Sequence, residues 1–249
     1  MPQSFLFVRS QDRYIGTSSS FKVTLPLTYK NISGIALVAC ELPYAMYNLD
    51  GGYLQGVTFI YSSTVFAAIV PAGYYQVTDL QAWLLGALQS AFPTAGVTAV
   101  TYSPTSGKLA INYTGTSQAF SVQGTATGYL GRILGCDPAN TPTFGVAGVL
   151  TLPYIATLAP VSTLMMSIAE IPSQMASTNN MSAFARIQLS AAPGSIVMAN
   201  AGGSVVNQYS YSPSISTLSS LTVNLYSSDG TPVNLHSCDW AFTLLIQSA

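Results

Sequence analysis

Apolar residues in this chain fall in short runs, with turn signals every ten to fifteen residues between them. That rhythm restricts the fold more than any other feature. Several runs alternate strictly. Phe21-Lys22-Val23-Thr24-Leu25 sets Phe, Val and Leu on one side, and Leu221-Thr222-Val223-Asn224-Leu225 repeats the device. Lys108 to Tyr113 and Trp240 to Leu244, running on to Ile246, do the same. A period of two buries one face of a strand and wets the other. The run Ile35 to Leu42 is apolar without alternation, as in a central strand covered on both faces. Near the end, Asp229-Gly230 lies between Leu225 and Val233, and Asp-Gly supplies the positive φ that a hairpin turn needs. Pro232 places the following stretch late in the sheet or at its edge. Many short strands with such spacing predict a sandwich or barrel. No linker, charge block or internal repeat divides the chain, so residues 1–249 read as one domain, with 1–19 as an N-terminal arm or edge strand.

One segment has helical periodicity. Thr78-Asp79-Leu80-Gln81 reads as a capping box with Thr78 at the N-cap and Gln81 at N3. Leu80, Trp83, Leu84, Ala87, Leu88 and Ala91 then share a face, and Pro93 stops the helix, which spans 77–92. A second, shorter helix is expected from Thr127 to Leu134. One or two short helices inserted in an otherwise all-β chain predict a single jelly-roll β-sandwich rather than a plain meander.

Charge is scarce. Seven Lys or Arg and eight Asp or Glu make 6% of 249 residues, against about 25% in an ordinary soluble domain. A folded chain of 26.1 kDa exposes roughly 10,500 Å², or about one charge per 700 Å². One side of a standard protein interface covers about 800 Å². Much of this surface therefore has the charge-poor character of an interface core. The net charge of −1 gives no field that would attract nucleic acid. Arg9, Arg13, Lys22 and Lys30 cluster loosely and read as a solvated terminal segment. Cys40, Cys136 and Cys238 are odd in number and widely spaced, which fits buried reduced thiols rather than a disulfide scaffold or a zinc site. The start, Met1 to Phe5, lacks the pattern of a signal peptide. The most apolar window, Gly145 to Ala169, is interrupted by Pro153 and Pro160, so no transmembrane segment is expected. Asn31, Asn112 and Asn180 head Asn-x-Ser/Thr sequons, which matter only in a secreted protein.

Chemistry finds little to work with. His236 lies three residues before Asp239 with serines nearby, but no Gly-x-Ser-x-Gly elbow accompanies it, and a turn histidine is the simpler reading. No His, Cys, Asp and Glu fall at metal-ligand spacing, and the acids are scattered singly. Gly51-Gly52 and Gly202-Gly203 lack the residues that make a phosphate loop. Tyr44, Tyr47 and Tyr53 surround the Asp50-Gly51-Gly52 turn, and Tyr209 and Tyr211 flank Ser210. Such loop tyrosines suit an interface or a carbohydrate site, while core packing accounts for some of the tyrosines and most of the phenylalanines. The reading assigns no catalytic, cofactor-binding or metal-ligating residue, no cofactor and no enzyme activity.

The order of segments supplies more. Val8 to Arg13 is a short strand ending in a Ser-x-Asp-Arg step, followed by Ser20 to Pro26 and Tyr29 to Leu37. Glu41-Leu42-Pro43, Tyr47-Asn48-Leu49 and Pro71 to Tyr75 lead into the helix. Thr101 to Leu109, Leu130 to Cys136, Leu225 to Gly230, Val233 to Leu235 and Asp239 to Leu244 complete the series. Together these resemble the single jelly-roll penton, or minor capsid, proteins of nucleocytoplasmic large DNA viruses and virophages. The resemblance spans almost the whole chain, apart from the Ser/Gly-rich stretch from Gly194 to Ser220. It implies a jelly roll standing upright in a virion, assembled in the host cytoplasm or nucleus. Five copies would close an icosahedral vertex against double jelly-roll major capsid proteins, with other minor capsid proteins or a vertex spike as further partners. The alternatives are another minor or cement protein of the same virion, or a carbohydrate-binding attachment protein.

Overall fold

The structure is a computed structural model that describes residues 2–49, 57–62, 64–115, 120–124, 129–136, 143–144, 148–158, 161–173, 175–176, 182–200 and 208–249. The chain forms two compact units, one from Met1–Met46 with Val161–Ala249 and one from Tyr47–Pro160. No shift of composition marks either junction, so a reading of 1–249 as one stretch has no cue for this division.

The first unit begins with β1 (Gln3–Arg9), β2 (Ile15–Gly16) and the long β3 (Ser20–Pro43). The second unit then contributes β4 (Val57–Tyr61), β5 (Thr64–Ala68), α1 (Val77–Ala91), β6 (Val97–Ser103), β7 (Lys108–Tyr113), β8 (Phe120–Gly124), α2 (Tyr129–Leu134), β9 (Thr143–Phe144) and β10 (Val149–Thr151). The first unit resumes with β11 (Thr163–Ile168), β12 (Met175–Ala176), β13 (Ser182–Ala183), β14 (Ala185–Gln188), β15 (Ile196–Asn200), β16 (Gln208–Ser227) and β17 (Ala241–Ser248).

In the first unit the main sheet runs β1-β17-β3-β16-β11-β14, and β15 and β2 also pair with β3. All of these ladders are antiparallel. β3 and β16 are long enough to serve two groups of neighbours because they bend. Asn31 adopts a φ of 50° inside β3. The β3–β16 register slips between Ser210 and Ile215 and again between Leu218 and Ser220. Each slip leaves unpaired residues on one strand and kinks it. The alternating residues face one core: Phe21, Val23 and Leu25 from β3, Leu221, Val223 and Leu225 from β16, Phe242, Leu244 and Ile246 from β17. The Ile35 to Leu42 run is central, flanked by β17 on one side and by β15 and β16 on the other. Trp240, just ahead of β17, meets Phe21 edge-on at 5.9 Å and Phe242 at 5.1 Å.

The Asp229-Gly230 turn forms as expected, with Gly230 at φ 90° and the Ser227 amide donating to the Thr231 carbonyl at 2.9 Å. No strand follows at once. Pro232 makes a single bridge to Tyr226, and pairing resumes only at Ala241. This is what a residue without an N–H permits.

The second unit holds two sheets, β5-β4-β8-β9 and β10-β7-β6, with α1 sharing their core. Phe120 sits amid Phe59, Tyr61, Phe92 and Tyr113 at centroid distances of 5.4 to 6.2 Å. Leu80, Leu84 and Leu88 of α1 are buried, while Trp83 and Ala91 are half-buried against the same core. The helix cap differs from the Thr78/Gln81 expectation. The N-cap is Gln76, and Asp79, now at N3, accepts its backbone N–H at 3.0 Å. Gln81 is used elsewhere, donating to the Val100 carbonyl at 3.0 Å. A short carboxylate two residues nearer the start outcompetes the longer amide, because it also complements the helix dipole. In α2, Leu130, Ile133 and Leu134 are buried; Thr127 lies outside the described residues.

Among the described residues no helix is long and apolar enough to cross a membrane. The window Gly145 to Ala169 contains β10 and β11 instead.

Candidate assembly surface

The first unit fixes its N-terminal strand by a polar cluster. The Ser10 hydroxyl donates to Asp239 Oδ1 at 2.8 Å and accepts the Trp240 N–H at 2.9 Å. The Ser10 N–H in turn donates to the Trp240 carbonyl at 2.8 Å. Arg13 reaches the same carboxylate at 2.5 Å and the Ser10 carbonyl at 2.8 Å. The Ser10 hydroxyl and the Arg13 guanidinium hold the Asp239 carboxyl below its ordinary value. The Ser-x-Asp-Arg step noted in the sequence is thus a clasp. It locks β1 to β17 over the full length of their ladder, Gln3 against Gln247 through Arg9 against Ala241. Asp12, the third residue of the step, makes a two-point pair with Arg9 at 2.8 and 2.9 Å.

That clasp positions an unusual face. Pairing across β1, β17, β3 and β15 fixes which residues lie together. Arg9 stands opposite Ala241, Ala241 opposite Glu41, and Glu41 opposite Met198. One row along lie Phe7, Thr243, Ala39 and Asn200. Leu6, Val8, Phe242, Leu244, Cys40 and Val197 take the opposite parity and enter the core. The outward face therefore has small residues along its centre and large apolar ones at both margins. Phe5 is 70% exposed, Phe7 59%, Ile196 64% and Met198 65%. They form two separate pairs, Phe5 with Phe7 on β1 and Ile196 with Met198 on β15, each presenting about 250 Å² of apolar surface if a side chain offers roughly 200 Å² when bare. At one end a depression of about 230 Å³ is bordered by the charged Arg9, Glu41 and Asp239 as well as by Pro43, Ile196 and Trp240.

Sequence reasoning missed this face. A signal existed: Phe5-Leu6-Phe7-Val8 and Ile196-Val197-Met198-Ala199 are apolar at both parities. Both belong to strands paired on one side only. An edge strand that is apolar on both faces is a liability unless something covers it.

The tyrosines behave differently from the expectation. Tyr44 is buried and donates to the Val161 carbonyl at 2.5 Å. Tyr209 packs against Phe184 at 5.7 Å, and Tyr211 is buried with its hydroxyl near the Pro172 carbonyl at 3.4 Å. Burial pushes the Tyr211 hydroxyl up to about 12. Of that set Tyr47 is exposed, while Tyr53 and the Asp50-Gly51-Gly52 turn lie outside the described residues, as do Asn180 and Gly202-Gly203. A polar hollow of about 510 Å³ opens beside Arg13, Ser18 and Asn234, and no aromatic ring lines it. Stacking of a sugar, which the carbohydrate alternative needs, has no platform there.

His236 occupies a tight turn at φ 49°, with its N–H donating to Asn234 Oδ1 at 2.9 Å. The carboxylate of Asp239 is committed to Ser10 and Arg13. Among the described residues no three His, Cys, Asp or Glu side chains are grouped to hold a metal. Cys40 and Cys136 are buried free thiols, both raised to about 12 by burial, with Glu41 adding to the effect at Cys40.

Taken together, the curled antiparallel sheets and the sparse helices define a jelly-roll β-sandwich. The penton protein of mavirus, known from a crystal structure, has a similar fold: the alignment covers 100% of both chains with a TM-score of 0.53 and 10% sequence identity. At that identity the likeness is one of fold. No protein-family model matches the chain, and no curated protein matches it by sequence.

Proposed function

We propose that this chain is a structural subunit of a virus capsid, and that it forms the penton: a ring of five copies at an icosahedral vertex, seated against double jelly-roll major capsid proteins. The observation behind this reading is the end-to-end fold likeness to the mavirus penton protein. The chemistry agrees with it. The chain has few charges and an exposed apolar face held in place by a polar clasp. A closed ring uses heterologous contacts, so one subunit must offer two different adhesive surfaces. A charge-poor surface suits that requirement, because charges oppose association. The reading places the protein in the virion and gives it no enzymatic role.

Cryo-electron microscopy of the virion tests this. Density for this chain in five copies around each five-fold axis is expected. Density confined to the faces, between major capsid trimers, would assign the chain to a cement role instead.

A further inference from the structure

The polar hollow of the first unit has walls whose hydrogen-bond acceptors are spent and whose donors are not. Gly16, at φ 101°, passes so close to Ser20 that a Cβ there would lie 2.1 Å from the Ser20 carbonyl oxygen. This tight reversal fixes the wall formed by Thr17, Ser18 and Ser19. The Ser18 carbonyl accepts the Trp240 Nε1–H at 2.7 Å, and the Ser19 carbonyl accepts the Leu225 N–H at 2.9 Å. Thr17 Oγ1 accepts the Ser20 N–H at 3.1 Å. Asn234, which also lines the hollow, has its Oδ1 engaged by the His236 N–H at 2.9 Å.

Donors remain. Ser18 is 4% exposed and lines the hollow, yet its hydroxyl has no hydrogen-bond partner among the described residues. A buried hydroxyl is costly without a partner, so it marks a place where one belongs. Asn234 keeps both Nδ2 hydrogens. Arg13 uses Nη1 alone, on the Ser10 carbonyl and on Asp239, and its Nε and Nη2 edge is unspent among the described residues. A guanidinium edge offers two parallel N–H donors that match an oxyanion. No acidic side chain is among the described residues lining the hollow. Its volume of about 510 Å³ falls within the range of about 300–1,000 Å³ found for small-molecule sites.

We propose that this hollow is an oxyanion site, taking a phosphate or sulfate group on the Nε–Nη2 edge of Arg13 with the Ser18 hydroxyl and Asn234 Nδ2 as further donors. Such a group presents acceptor oxygens in every direction, which is what these walls lack. Pro232 and Val233 supply an apolar border for the carrier of an esterified group. The site belongs to the first unit alone and does not depend on the capsid reading.

Inorganic phosphate, inorganic sulfate and glycerol phosphate are titrated into the full-length protein against sodium chloride at matched ionic strength, with melting temperature as the readout. Saturable stabilisation is expected, as for any ligand that binds only the folded state. Exclusion of these anions from the protein surface also stabilises, but it does not saturate and acts alike on every variant. Asn234→Asp keeps the oxygen that accepts the His236 N–H and sets a carboxylate in the hollow, so binding should weaken about a hundredfold. Ser18→Ala should weaken it about tenfold. Arg13→Lys keeps the charge beside Asp239, loses the fork, and should also weaken binding. Unchanged circular dichroism confirms folding, and Asn234, being exposed, keeps the test intact if Ser18→Ala misfolds. Tighter binding of glycerol phosphate assigns the site to an esterified group, and tighter binding of the inorganic ion assigns it to the free anion. Stabilisation that does not saturate, or that is equal in wild type and Asn234→Asp, overturns the proposal.

Discussion

Replacing Trp240 with Ala removes the centre of the first unit's core, and the structure sets the size of the effect. The indole is buried, in contact with Phe21 and Phe242, and its N–H donates to the Ser18 carbonyl at 2.7 Å. Truncating a buried Trp to Ala costs about 3–5 kcal/mol through lost burial and the cavity left behind. Leaving the Ser18 carbonyl without its donor adds about 1–3 kcal/mol. The sum, about 4–8 kcal/mol, is comparable with the whole stability of a typical domain. Trp240→Phe keeps most of the ring contact and loses mainly the hydrogen bond, so it should cost about 2–3 kcal/mol. Urea unfolding followed by far-ultraviolet circular dichroism separates the two variants by their midpoints. The Ala variant keeps the backbone bonds to Ser10, so the loss of assembly expected of it comes from the emptied core beneath β3 and β17. A Trp240→Ala protein that loses under about 2 kcal/mol, or that assembles normally, would refute the placement of Trp240 as the core keystone.

Three further outcomes follow from single contacts. Asp239 is held below its ordinary pKa by Ser10 and Arg13, so its contribution is present above the unfolded value near pH 4 and is lost as pH falls through the folded value. Melting temperature should therefore fall as pH drops below about 4, and Asp239→Asn should flatten part of that slope, with Asp229 supplying another part. Leu84→Ala, in the buried face of α1, should cost about 2–5 kcal/mol in thermal or urea unfolding. In the native protein a thiol reagent at pH 8 should modify half-buried Cys238 first, because Cys40 and Cys136 are buried and raised to about 12; simultaneous labelling of all three would contradict their burial.

Much of this architecture could be read from period and turn chemistry. Phe21, Val23 and Leu25 alternate in the sequence and are buried in alternation, and the same holds for Leu221 to Leu225 and Lys108 to Tyr113. Such local rules work where one face of a strand meets the core and the other meets water. They fail where long-range pairing decides. The slip of β3 against β16 between Thr24 and Tyr29 falls at Pro26, which marks an edge or a bulge without saying which, and it is this slip that exposes Leu27. The exposed apolar face escaped notice for the same reason. Phe5 and Phe7 look like core residues until β1 is seen to pair on one side only. Tyr209 and Tyr211 erred the other way, since residues taken for a surface loop lie in β16 and pack inward. The α1 cap moved because two candidate boxes overlap, and only the fold shows that Gln81 is engaged with β6.

The central claim is that this fold is a building block that closes rings through unlike surfaces. Measuring the native mass of the purified full-length protein across concentration tests it most directly. The account predicts a concentration-dependent rise from 26.1 kDa to a single closed species of five copies, about 130 kDa. A monomer at all concentrations, or a species that stops at two copies, would contradict it.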